Sequence, residues 1–401
     1  MSRSIALYLH AHQPWRLRNY TVFDAASSHN YFDTGSETNG NLSVLKKVTY
    51  KSYIPTNRRL LELLNKYPEF KINLSITGLL LEQLEQWEPD VLKSFQDLAA
   101  TGRMEIAAET YYHSLAFFYD KAEFERQVDQ HIRKIQELFG QTPVVFRNTE
   151  LAYNNDLAKW ADGKGFKAIL AEGWDPILGW RSPNYIYRPA DTENIRLILK
   201  NYRLSDDVAF RFGNRDWAGW PLTADKFVHW MDETHHAEIF NLFMDYETFG
   251  EHQWEDTGIF DFLEDMPGKW IGHGNDFVTL SEAVDRLEPR DTVDIPDTTT
   301  WADTERDLTA WLGNAMQQEA ASAIYSLSET ILNSGDEQLI DDWRRMQTSD
   351  HFYYMCTKWF NDGDVHAYFS PYKSPYDAYL NYMNVYHDLM WRAGNSSRKE
   401  A

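Results

Sequence analysis

The segment Ile5-Ala6-Leu7-Tyr8-Leu9-His10-Ala11-His12-Gln13-Pro14 joins an apolar run directly to a cluster of polar, hydrogen-bonding side chains. A short apolar run ended by a turn signal reads as a buried strand, here over residues 5–9. The same unit returns along the chain, with strands expected at 71–76, 104–107, 144–146, 167–170, 195–199 and 239–243, seven in all. Between them, residues 54–66, 79–100, 121–139, 155–164 and 223–236 carry apolar side chains three and four apart with charges opposite, as amphipathic helices do. Strands and helices in alternation favour a parallel sheet with helices outside, either as a barrel or as a doubly wound sheet.

Beyond about residue 289 the pattern changes. Residues 303–329, 336–346 and 375–392 read as helices with no convincing strand between them. The stretch 294–300, with Pro296 and three consecutive threonines, marks the change. A catalytic part over 1–290 and a helical C-terminal region over 291–401 packed on it are therefore expected. Residues 15–53 are aromatic and polar with weak periodicity, which reads as a functional loop or insertion.

Composition narrows the function. With 43% hydrophobic residues the 401-residue chain has material for a large core, which excludes wholesale disorder. Its 39 Lys+Arg against 61 Asp+Glu give a net charge of −22, a field that repels nucleic acid and anionic membranes. The single cysteine, Cys356, excludes an intramolecular disulfide and reads as a small buried apolar side chain. The apolar run at the N-terminus is too short for a signal peptide, and no stretch approaches the roughly 20 residues of a membrane span, so a soluble cytoplasmic protein is expected. The phosphate-binding loop, dinucleotide fingerprint, CxxC and HExxH patterns do not occur.

In parallel α/β folds ligands sit outside the carboxyl ends of the strands. There this sequence places His10 to Pro14, Ala108 to His113, Arg147 to Glu150, Ala171 to Trp174 and Met244 to His252. His10 and His12, two apart on an extended segment, point the same way. They read either as hydrogen-bonded histidines at a strand end or as metal ligands, with His113 or Asp245 available to complete a zinc set. Glu150 and Asp245 follow different strands, and two carboxyls with separated pKa values are what cleaving a glycosidic bond requires. Trp174, Trp180, Trp217, Trp220 and Trp254 fall in or near loops, where an indole ring can face a sugar.

These stretches, in this order, resemble the motifs of the α-amylase-type glycoside hydrolases of family 57. His10 to Pro14 resembles the first motif and Glu109-Thr110-Tyr111-Tyr112-His113 the second. Residues 146–155 around Glu150 resemble the third, and 244–252 around Asp245 the fourth. Residues 300–305 and 358–366 are similar to further segments of short members. The resemblance implies an incomplete seven-stranded (β/α)7 barrel followed by helices, acting on α-1,4-glucans such as starch, glycogen or maltooligosaccharides with retention, and using neither cofactor nor metal. It assigns Glu150 as nucleophile and Asp245 as general acid/base. His10, His12, Gln13 and His113 match the polar lining of the substrate site, and Glu247 stands in the hydrogen bonding of the acid. Trp174, Trp254 and Asp364 complete the expected substrate contacts. To start as an acid, Asp245 is expected to have a raised pKa, pushed up by ionised Glu150. A 4-α-glucanotransferase or branching enzyme would share the covalent intermediate. A metal-dependent polysaccharide deacetylase would use an Asp and two His, and a glycan-binding protein would not need the intact Glu150 and Asp245.

Overall fold

A computed structural model describes residues 2–35, 37–358 and 369–399. Among the described residues ten strands run in chain order: β1 (Ser4–Ala11), β2 (Ile72–Ile76), β3 (Met104–Ile106), β4 (Val145–Phe146), β5 (Ala168–Glu172), β6 (Ile186–Pro189), β7 (Arg196–Lys200), β8 (Ile239–Asp245), β9 (Asp276–Phe277) and β10 (Thr292–Val293). The seven expected strands are β1 to β5, β7 and β8. Short β6, β9 and β10 are additions.

The result is an α/β fold of two five-stranded sheets rather than one unbroken ladder. One sheet has the order β3-β2-β1-β8, with β9 beside the start of β1, and the other runs β10-β6-β7-β5-β4. All pairs are parallel except β6 with β7. The sheets meet at two seams. Ala108, just past β3, bridges Phe146 of β4, and the Asn201 N–H after β7 donates to the Asn241 carbonyl of β8 at 2.9 Å.

Strand alternation divides the core. Ile5, Leu7, Leu9 and Ala11 of β1 face outward to the cluster shared with helices Ile54–Lys66, Gly78–Trp87, Pro89–Ala100 and Ile259–Gly272. Ala6 and Tyr8 face inward and meet Val145, Ala168, Leu170, Ile198 and Phe243 from β4, β5, β7 and β8. A third cluster joins Phe146, Ile169 and Leu197 to Trp311, Ile324, Trp343 and Val385 of the helical C-terminal region. Cys356 is buried. Among the described residues no helix is long and apolar enough to cross a membrane.

Three expected elements change, the first being 303–329, where residues 303–308 are not helical and the rest is split between Thr309–Leu312, Ala315–Ser326 and Ser328–Leu332. The span 79–100 is two helices, because Pro89 holds Glu88 out of the helical region at φ −137°, ψ 57°. Residues 15–53 are not all loop, since Asn41–Val48 is helical and continues through a π-helical turn, Thr49–Tyr53, into Ile54–Lys66. That turn touches the loop after β8 at Gly250, where φ is +103° and an added Cβ would lie 1.9 Å from the Lys51 carbonyl oxygen. Gly102 has φ +71° with nothing within 4 Å of an added Cβ. Gly250→Ala is therefore expected to destabilise by about 3 kcal/mol or more, strain and overpacking together, and Gly102→Ala by about 1 kcal/mol. Thermal unfolding of the two variants side by side measures the difference.

Candidate active site

The register of β1 sets the first contacts. His10 pairs across the sheets' backbone with Ser75 on one side and Asp245 on the other, so its ring stands beside the last residue of β8. Glu109 and His113 follow β3, and Glu150 lies in the single 3-10 turn Thr149–Leu151 after β4. His113 (φ +50°) and Glu150 (φ +57°) both adopt the left-handed conformation, a cost of roughly 1–3 kcal/mol each that the surrounding contacts must hold in place.

Glu109, wholly buried, is the hub. Its Oε2 lies 3.2 Å from His10 Nε2, 3.5 Å from His113 Nδ1 and 3.5 Å from Arg147 Nη1. His113 Nε2 then lies 2.9 Å from Glu150 Oε1, and the Trp301 indole N–H donates to Glu150 Oε2 at 2.7 Å. On the other arm, His10 Nδ1 lies 3.8 Å from Asp245 Oδ1. The rings of His10, His12 and His113 stack, the closest pair being His12 and His113 at 4.1 Å. His12 bonds Thr77 Oγ1 and Asp350 Oδ2, each at 2.9 Å.

The charges follow from this geometry. Burial disfavours charge on His113, yet hydrogen bonds to Glu109 and Glu150 lift it to about 9, so it is a cation at neutral pH. Burial raises the Glu109 carboxyl, but His10, His113 and Arg147 take it well below the usual range. Glu150 is likewise raised by burial and lowered further by His113, Arg147 and Trp301, which leaves it ionised. Burial and the neighbouring His113 push His12 down to about 4, and Asp350 is held low by His12 and His113.

The expected raised pKa of Asp245 is corrected by the structure. Burial raises it, but His10, His252 and Arg147 outweigh that and hold it below the usual carboxylate range. The elevated carboxyl is Glu247, lifted to about 8 by burial and by Asp245, with the Tyr53 hydroxyl and Gln13 as hydrogen-bond partners.

Thus His10, His12, Gln13, His113, Glu150, Asp245 and Glu247 come together. Trp254 is exposed in the loop after β8, with Lys51 Nζ 5.0 Å from its ring and both Lys47 and Lys51 paired to Glu251. Trp174 is half-buried after β5, and no hydrogen bond or ring contact among the described residues joins it to the cluster. Asp364 lies outside the described residues. The roles of Glu109, Arg147, Trp301, Tyr53 and Asp350 were not assigned from sequence. Glu109 and Arg147 obey the strand-end rule, whereas Tyr53 and Asp350 carry no local signal.

Two groups bring possible metal-ligating atoms within 4.8 Å of one another: His10, Glu109 and His113, and His12, His113 and Asp350. Both depend on His113, whose two nitrogens already face Glu109 and Glu150. In the first, Arg147 supplies positive charge to the same carboxylate oxygen.

Residues 6–296 match the family described as Glycosyl hydrolase family 57. The chain belongs to this family. A Methanocaldococcus jannaschii protein named "Putative alpha-amylase" is 44% identical over 398 residues, covering 96% of this chain and 84% of its own. Two solved structures share the fold at low identity. The branching enzyme of Pyrococcus horikoshii aligns at 15% identity and TM-score 0.72, over 96% of this chain and 88% of that one. The 4-α-glucanotransferase of Thermococcus litoralis aligns at 16% identity and TM-score 0.60 over 97% of this chain, which spans 59% of that larger protein.

In this family 57 glycoside hydrolase the charged form of His113 also couples the site to stability. Its folded pKa of about 9 exceeds the unfolded value of about 6.5, so its contribution is complete below pH 6.5 and is lost as pH rises through 9. Unfolding free energy is expected to fall by up to about 3 kcal/mol over that window from this group. In His113→Gln the baseline is lower and this part of the alkaline slope is absent, as denaturant titrations at stepped pH would measure.

Proposed function

We propose that the protein is a retaining α-glucan hydrolase that cleaves α-1,4 bonds of starch, glycogen or maltooligosaccharides through a covalent glycosyl-enzyme. The observation that carries this is the two-armed cluster in which one carboxylate, Glu150, is held ionised by His113 and Trp301 while Asp245 stands on the opposite arm beside His10. Family membership and the M. jannaschii relative support the substrate class and water as the acceptor. In this reading β1-β2-β3-β4-β5-β7-β8 form an incomplete (β/α)7 barrel, supported by the inward side chains of β1, β4, β5, β7 and β8 sharing one cluster. Residues 1–290 hold the catalytic part and 291–401 the helical part.

The chemistry is double displacement. Glu150 attacks the anomeric carbon as the glycosidic C–O bond breaks, and protonated Asp245 gives its proton to the departing oxygen. Water then attacks the glycosyl–Glu150 ester, losing a proton to Asp245 and freeing Glu150. In the unliganded site Asp245 keeps 39% of its side chain exposed, and a glucan lying over it removes that water and raises its pKa. Glu247, protonated up to about pH 8, is the neighbouring proton reserve. In this reading His10 and His12 shape the substrate lining through their hold on Glu109, Asp245, Thr77 and Asp350, and Gln13, Trp174, Trp254 and Asp364 are assigned as substrate contacts.

Incubation with maltoheptaose and soluble starch is expected to give shorter oligosaccharides alone, with the α-anomer formed first by NMR and no effect of EDTA. Glu150→Gln is expected to lower the rate by about 10³-fold or more. Products longer than the substrate would assign transfer instead of hydrolysis, and no reaction on either glucan would overturn the reading. The alkaline limb of kcat/KM is expected near pH 8 in the parent, where Glu247 loses its proton. In Glu247→Gln, which has no proton to supply to Asp245, the limb near pH 8 is expected to disappear and kcat/KM to fall across the neutral range.

A further inference from the structure

At the end of β8 opposite Asp245, a second cavity of about 330 Å³ opens among Trp180, Arg181, Tyr185, Tyr187, His236 and Arg290. Residues 234–237 of its wall lead into the first residue of β8, and Asp245 is the last. The seven-residue strand places the two about 20 Å apart.

Trp180 exposes 81% of its surface, the second-highest value among the large hydrophobic side chains of the described residues. It is nevertheless held in place. Gly179 (φ +58°) turns the chain, and the Arg181 guanidinium lies 5.1 Å from the indole ring. Arg181 in turn donates to Asp291 at 2.8 Å and to the Thr292 carbonyl at 3.1 Å. Buried Tyr187 bonds the Ser182 carbonyl at 2.5 Å from below. Arg290 lies 5.2 Å from the Tyr185 ring and has no ion pair among the described residues. The wall thus combines aromatic faces with a fixed Arg–Asp pair and a second guanidinium.

That combination selects among ligands. Asp291 pairs with Arg181, so of the two guanidinium groups in the wall only Arg290 is without a carboxylate among the described residues, and the lining offers more aromatic face than charge. Aromatic faces stack on the C–H faces of pyranose rings, and planar guanidinium and carboxylate groups match vicinal hydroxyls. A neutral polyhydroxylated chain satisfies both. We propose that this cavity is a second carbohydrate-binding site, which holds a distant segment of a polymeric α-glucan without cleaving it. The substrate class rests on the function proposed above. Because β8 is buried, a glucan joining the two must pass around the body of the fold, a longer path than the strand itself, which the chains of glycogen and starch can follow and a short oligosaccharide cannot.

The test is native electrophoresis of the full chain in gels containing glycogen, together with maltoheptaose hydrolysis. Trp180→Ala is expected to weaken glycogen retardation about tenfold while kcat/KM on maltoheptaose stays within twofold. Arg290→Ala, a change at an exposed position, is expected to weaken retardation in the same direction. Retardation unchanged in both variants overturns the proposal. So does a parent that cleaves maltoheptaose but is not retarded by glycogen, or equal losses of retardation and maltoheptaose cleavage in both variants. A parent that neither cleaves α-glucans nor is retarded overturns the α-glucan reading itself, and this site's ligand with it.

Discussion

A carboxylate with no exposure at all, Glu109, organises this site. Burying such a charge costs several kcal/mol unless it is paired, and here His10, His113 and Arg147 converge on one of its oxygens. Because those partners come from β1 and from the loops after β3 and β4, the pairing also fixes three strand ends relative to one another. Each histidine then has a second nitrogen left to aim, one at Glu150 and the other at Asp245. Glu150 and Asp245 are thus oriented at one remove by a charge that touches neither solvent nor either of them.

The opposite wall is built from the part of the chain that follows the sheets. Trp301 donates to Glu150, and its ring lies 5.2 Å from the Arg147 guanidinium and 5.4 Å from Lys200 Nζ. Lys200, at the end of β7, is itself tied to Asp206 and Glu172, and Arg306 reaches the same two carboxylates. Asp350 enters from a C-terminal helix to hold His12, and the Ser349 N–H donates to the His113 carbonyl. The helical region is therefore part of the site's wall and not a support standing behind it.

This division explains what could be read in the sequence. Strands such as Ser4–Ala11 and Ala168–Glu172 declare themselves because burial on both faces demands apolar runs, here Ile5 to Leu9 and Ala168 to Ala171. Their ends then locate His10, Glu150 and Asp245. β6 escaped because its four residues, ending at Pro189, make only two-residue pairings, antiparallel with β7 and parallel with β10, with no alternation to detect. Asp350 escaped because it meets His12 from the other end of the chain, through a contact that leaves no periodicity. The pKa of Asp245 escaped for another reason: its sign depends on His10, His252 and Arg147 acting together against burial, which is a sum over three-dimensional neighbours.

The pairing of Ser4 with Ile239 has a consequence for the life of the chain before it is an enzyme. β1 leaves the ribosome well ahead of β8, its partner on one side, with about 230 residues translated between them. At translation speeds of about 5–20 residues per second that interval is on the order of ten seconds or more. Throughout it, an apolar strand has one unpaired edge. Such long-range pairing is slow to form, so the nascent protein needs chaperones or helices that cover that edge early. The amphipathic segments translated between β1 and β2 are the first available to do so.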